Sequence, residues 1–146
     1  MAAALSLFAL RFSPSQALAA LPPHAVEKKL RLFNPTTKSL LETTFWADGG
    51  YVASALSDID FFMRDLRSGK TRPMDTGLIE LLYAIQENLK LFEPLQVISG
   101  FRTRESNDRL RRKGWAAAKN SYHIQGKAVD LRLSNGSPAV LRKAAF

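Results

Sequence analysis

Two stretches of strict alternation, separated by four turn-forming residues, limit the folds open to this chain. Lys29 to Asn34 places Leu30 and Leu32 on one side. Ser39 to Trp46 places Leu40, Glu42, Thr44 and Trp46 on one side and Leu41, Thr43 and Phe45 on the other. Pro35-Thr36-Thr37-Lys38 lies between them. Period-two alternation on both sides of a turn predicts a β-hairpin.

The period then changes. Val52, Leu56, Ile59, Met63 and Leu66 recur at helical steps, which predicts an amphipathic helix closed near Ser68-Gly69. Asp75 is placed as the N-cap of a second helix, with Leu78, Leu81, Leu82, Ile85 and Leu89 inward. Pro94 to Ser99 reads as a short strand ended by Gly100. Thr103 is placed as the N-cap of a third helix from Arg104 to about Lys113, with Gly114 as its stop. That helix is polar on most sides, with Leu110 as its single large apolar residue. A loop with Trp115 follows, then a strand from Lys127 to Leu133, and a final helix from Ala139. The order predicts an α+β domain, helices on one side of a small antiparallel or mixed sheet.

Within the last part, Ser121-Tyr122-His123-Ile124-Gln125-Gly126-Lys127-Ala128-Val129-Asp130 concentrates groups able to do chemistry. Fully extended, the chain would hold His123 and Asp130 roughly 20 Å or more apart. Two ligands of one zinc, each about 2 Å from it, must lie within about 4 Å of each other. The chain must therefore double back, and Gly126 permits this by adopting positive φ at little cost. Spacing alone leaves three readings: a zinc pair, a hydrogen-bonded pair, or two unrelated polar groups. The alternation of Lys127 to Leu133 sets Val129, Leu131 and Leu133 on one face and Ala128, Asp130 and Arg132 on the other. Asp130 thus stands opposite the bulky apolar side chains.

Charge and composition narrow the chemistry. No cysteine is present, so a thiolate metal site and a disulfide framework are excluded. The net charge is +8. Residues 1–100 hold ten basic and ten acidic side chains, and residues 101–146 hold eleven and three, so all the excess lies in the His123–Asp130 half. This suggests a polyanionic partner, whether nucleic acid, an anionic membrane surface or a cell-wall polymer, or else a solvated basic face. Residues 1–20 read as a leader: Ala2 to Leu10 is a short apolar run and Ala17-Leu18-Ala19 has a small-x-small form, which suits export. Residues 21–28 read as a linker, with His24 an exposed bystander beside Pro22 and Pro23.

Ser121-x-His123-x-x-Gly126-x-Ala128-x-Asp130 resembles the signature of the zinc DD-peptidases, the D-Ala-D-Ala carboxypeptidase relatives of the Hedgehog/DD-peptidase fold. Ser99-Gly100-Phe101-Arg102-Thr103 is similar to a second segment of that family. Leu32-Phe33-Asn34, Phe45-Trp46-x-Asp48-Gly49, Phe62-x-Arg64-Asp65 and Leu110-Arg111-Arg112 are similar to its secreted bacterial murein endopeptidase-like branch. The resemblance covers residues 29–146. It implies that His123 and Asp130 are two of three zinc ligands, that Ser121 binds substrate near the metal, and that Arg102 stabilises the oxyanion. It implies peptidoglycan stem peptides as substrate. The family's third ligand is a histidine C-terminal to the aspartate, and a carboxylate near it serves as base; nothing after Asp130 here is His, Asp or Glu. The implied protein is a family member truncated at its C-terminus, lacking the last strands of the sheet, binding zinc weakly and impaired as a peptidase. Two alternatives stand: a non-catalytic module that holds cell-wall polymer, and, further off, a basic nucleic-acid binder.

Overall fold

A computed structural model describes residues 27–115 and 117–133. The leader, His24 and the helix expected from Ala139 lie outside the described residues. Five strands form one mixed sheet in the order β3-β2-β1-β4-β5. The hairpin forms as expected: β1 (Lys28–Asn34) pairs antiparallel with β2 (Ser39–Ala47). The Asn34 side chain shapes the turn by accepting the N–H groups of Thr36 and Thr37 at 2.9 and 3.1 Å. A two-residue β3 (Gly50–Tyr51) extends the hairpin. On the other side β1 runs parallel to β4 (Leu95–Ser99), which pairs antiparallel with β5 (Asp130–Arg132).

One face of the sheet carries the core. Leu30, Leu32, Phe45, Leu95 and Val97 are buried with Ile59 of α1 (Ala53–Phe62) and with Ile79, Leu82 and Ile85 of α2 (Thr76–Asn88). The architecture is therefore α+β. Asp75 caps α2, its carboxylate accepting the N–H of Leu78 at 3.3 Å. Thr103 caps α3 (Arg104–Arg112) by accepting the N–H of Ser106 at 3.1 Å. None of the helices among the described residues is long and apolar enough to cross a membrane.

Three expectations need correction. The first helix ends at Phe62, and Leu66 is exposed beyond it. The Asp65 carboxylate takes the N–H groups of Arg67 and Ser68, which turns the chain out of the helix. In α2 the inward residue is Ile79, while Leu81 faces outward. The last strand is only three residues long. Its first residue, Asp130, already pairs with Ser99, where β4 ends, so Lys127 to Val129 have no strand to pair with.

Gln86 fills a gap in the ladder. β4 begins opposite Leu32, so the N-terminal part of β1 has no strand on that side. The buried Gln86 amide substitutes for one, donating to the Lys29 carbonyl and accepting the Arg31 N–H, both at 3.0 Å. Gln86→Leu keeps the volume but orphans both backbone groups. Two lost bonds with unsatisfied partners should destabilise the fold by about 2–4 kcal/mol, read as a lowered urea midpoint at unchanged m-value.

Candidate functional site

The site is assembled from the end of β4, the start of α3, a 3-10 turn at Tyr122–Gln125 and the first residue of β5. Close backbone approach sets the first of these. A Cβ on Gly100 would lie 2.5 Å from the Met63 carbonyl oxygen, so no side chain fits there. Phe101 N–H donates to that same carbonyl at 2.7 Å. The 3-10 turn starts at Ser121, whose buried hydroxyl faces the His123 N–H at 3.4 Å. It ends at Gly126 with φ 72°. Two constraints coincide at Gly126: the left-handed backbone, and the Pro73 carbonyl oxygen 2.6 Å from where a Cβ would be.

This turn returns the chain as the spacing requires. His123 is 9% exposed. Its Nδ1 lies 2.7 Å from the Gly100 carbonyl oxygen. A carbonyl only accepts, so Nδ1 carries the proton, and in the neutral ring Nε2 keeps its lone pair. Nε2 lies 3.4 Å from Asp130 Oδ1. Two ligands of a tetrahedral zinc, each about 2 Å from the metal, stand about 3.3 Å apart. The other Asp130 oxygen pairs with the Arg102 guanidinium, which also donates through Nε to Ser99 Oγ at 2.9 Å. Arg102 N–H donates to the His123 carbonyl at 3.2 Å, tying the two segments together. The His123 ring first, and then Arg102 against the opposing effect of burial, hold the Asp130 carboxyl below its ordinary value.

Arg102, Ser121, His123 and Asp130 thus open on one cleft of about 670 Å³, with Leu110 and the exposed Trp115 on its wall. Among the described residues no third His, Cys, Asp or Glu joins His123 and Asp130 in a cluster able to hold a metal.

A residue that sequence reasoning used only as part of a resemblance also lines this cleft. Asp65 is 4% exposed. Its Oδ2 accepts the Thr103 N–H at 2.8 Å, while its Oδ1 accepts Arg67 N–H at 2.9 Å. Burial pushes its carboxyl up, but the Ser106 hydroxyl, the Thr103 and Arg67 N–H groups and the Thr103 hydroxyl together outweigh that and bring it down to about 2. The run Asp65-Leu66-Arg67-Ser68-Gly69, an Asp followed by small and polar residues, is the signal that marks such a turn.

The family model described as peptidoglycan L,D-endopeptidase MepK matches residues 23–146. The chain belongs to this family. The murein endopeptidase-like resemblance is therefore borne out. The chain is 35% identical over 117 residues to peptidoglycan L,D-endopeptidase MepK of Escherichia coli strain K12, covering 80% of this chain and 64% of that protein. It is 37% identical over 113 residues to the probable MepK of Haemophilus influenzae, covering 77% of this chain and 60% of that one. The MepK-family chain thus spans less than two thirds of the length of these relatives. No solved structure matches.

The depressed Asp65 carboxyl fixes an acid limit. Its folded value of about 2 lies below the model-peptide 3.8, so its contribution is present above pH 3.8 and is lost as pH falls through 3.8 toward 2. The amount is about 2 kcal/mol. Urea midpoints between pH 5 and pH 2.5 should fall more steeply for the native chain than for Asp65→Asn.

Proposed function

We propose that this chain carries the zinc-binding centre of an exported peptidoglycan peptidase, periplasmic or cell-wall associated, that acts on the peptide crosslinks of the wall. The observation that carries the reading is the His123–Asp130 pair: an imidazole with its proton fixed on Nδ1 by Gly100, presenting Nε2 beside a carboxylate oxygen at 3.4 Å. That donor set fits one edge of a zinc site, and the hydrogen bond from the far ring nitrogen is the partner such ligands usually have. The names of the MepK relatives support peptidoglycan as the substrate.

Zinc, when bound, supplies Lewis-acid polarisation of a scissile carbonyl and a water of lowered pKa. The chain's own residues do the rest. His123 and Asp130 hold the ion. Arg102, fixed by Ser99 and Asp130, lies beside them in the cleft and offers its guanidinium where negative charge develops on the carbonyl oxygen. The Ser121 hydroxyl faces the His123 N–H with its oxygen, which leaves its own proton for a substrate carbonyl.

A catalytic zinc generally has three protein ligands, and residues 131–146 contain no His, Asp or Glu. Held by His123 and Asp130 as its two protein ligands among the described residues, zinc is expected to bind weakly. A second reading, retention on cell-wall polymer without cleavage, is favoured by the exposed basic run Arg109, Arg111, Arg112 and Lys113. Sedimentation with purified peptidoglycan, with and without release of soluble peptide, separates the two.

Calorimetric zinc titration tests the site. His123→Ala and Asp130→Ala should each weaken binding by more than about tenfold, since loss of even a group hydrogen-bonded to a ligand costs that much. His24→Ala should leave it unchanged. Equal affinity in native chain and His123→Ala overturns the assignment.

A further inference from the structure

Gly100 to Thr103 carry both the carbonyl that sets the His123 ring and the guanidinium that meets Asp130. This segment is held from two sides. The 3-10 turn holds one side, through Arg102 N–H to the His123 carbonyl at 3.2 Å. The chain just after α1 holds the other, through Phe101 N–H to the Met63 carbonyl at 2.7 Å and Thr103 N–H to Asp65 Oδ2 at 2.8 Å.

Asp65 stands out among these contacts. Among the described residues it is a buried carboxylate with no cation on it; its partners there are backbone N–H groups and hydroxyls. Such a group is costly to bury and needs all of its acceptor sites filled. Here the donors come from two segments: Arg67 and Ser68 on its own turn, and Thr103 and Ser106 at the start of α3. The carboxylate therefore joins the turn after α1 to the N-terminus of the helix that begins just beyond Arg102.

We propose that Asp65 is a positioning residue: by clamping Thr103 and Ser106 it sets the backbone of Arg102, and so the place of the guanidinium at the cleft. The significance for hydrolysis rests on the role given to Arg102 above, but the geometry does not. Asparagine cannot replace it. Both oxygens accept N–H groups, and an amide offers only one acceptor, so one side becomes donor against donor.

The test reads Arg102 directly, in the metal-free 146-residue chain, by nitrogen–proton NMR. The Arg102 Nε–H, bonded to Ser99 Oγ at 2.9 Å, gives a protected side-chain signal, assigned by its loss in Arg102→Lys. In Asp65→Asn that signal should be lost or shifted. In Ile79→Val, a core change remote from the clamp, it should stay in place, which separates positioning from simple loss of stability. Ser106→Ala removes one hydroxyl from Asp65 and keeps the backbone bond, so it should move the signal less. If Asp65→Asn does not fold, Ser106→Ala decides. A folded Asp65→Asn with an unmoved Arg102 signal, or an unmoved signal in Ser106→Ala where Asp65→Asn is unfolded, overturns the proposal. Neither result depends on zinc or hydrolysis, so failure here and failure of the peptidase reading are distinct.

Discussion

The site depends on one hydrogen bond, from His123 Nδ1–H to the carbonyl of Gly100. An imidazole has two nitrogens, and the neutral ring keeps its proton on only one. A buried carbonyl beside Nδ1 decides which. Nε2 is then the nitrogen turned to Asp130, and the ring cannot turn over without orphaning the carbonyl. That carbonyl is placed by steric exclusion as much as by attraction. The absence of a Cβ at residue 100 lets β4 end against the Met63 backbone, and the Phe101 N–H then bonds to the oxygen any side chain would strike. The core beneath, with Met63 1% exposed and Val97 1% exposed, gives the junction a rigid floor. Packing of the sheet and first helix therefore controls a proton position at the surface cleft.

Much of this was legible in the sequence, for identifiable reasons. Alternation in β1 and β2 reports a sheet buried on one face, so the hairpin follows from side chains alone, whereas the irregularity in its register at Lys28/Lys29 does not. The caps Asp75 and Thr103 act within three residues of themselves and read just as locally. The return of the chain between His123 and Asp130 was a distance argument, and Gly126 was the residue able to satisfy it. The misreadings share another cause. Four of the first seven residues of α2 are apolar, so the stripe can be drawn through Leu81 or Ile79, and only the position of β1 selects Ile79. The periodicity that reaches Leu66 takes no account of Asp65, whose carboxylate competes with the helix for backbone N–H groups. The shortened last strand depends on where β4 stops, more than thirty residues earlier. The partner of His123 Nδ1 is a backbone oxygen 23 residues away, and backbone oxygens carry no sequence label.

Two aspartates near the same arginine illustrate how surroundings assign work to identical side chains. Asp65 is buried and saturated with neutral donors; it has no lone pair left for a substrate or an ion, so its effect is exerted through what it holds. Asp130 is half exposed, with one oxygen on Arg102 and the other turned to His123. Its carboxyl is also held low, yet by partners that face the cleft. The difference follows from register. β5 sets Asp130 on the strand face away from Leu131 and Leu133, which pack toward the core, whereas Asp65 sits in a turn folded under the start of α3.

The His123–Asp130 contact also makes an electrostatic demand. With Nδ1 protonated toward Gly100, Nε2 and Oδ1 stand 3.4 Å apart, and without a second ring proton they would be two acceptors. Two lone pairs so placed repel unless something positive lies between: a second ring proton or a cation. Arg102 does not serve, because it is committed to the other carboxylate oxygen and to Ser99. A ring proton satisfies the pair as a hydrogen bond from His123 to the Asp130 carboxylate, the contact that holds that carboxyl low. A divalent cation satisfies both acceptors and adds charge that a neighbouring carbonyl or water can use. Either occupant of the gap leaves the Gly100 carbonyl on Nδ1 and holds His123 and Asp130 together at the mouth of the cleft.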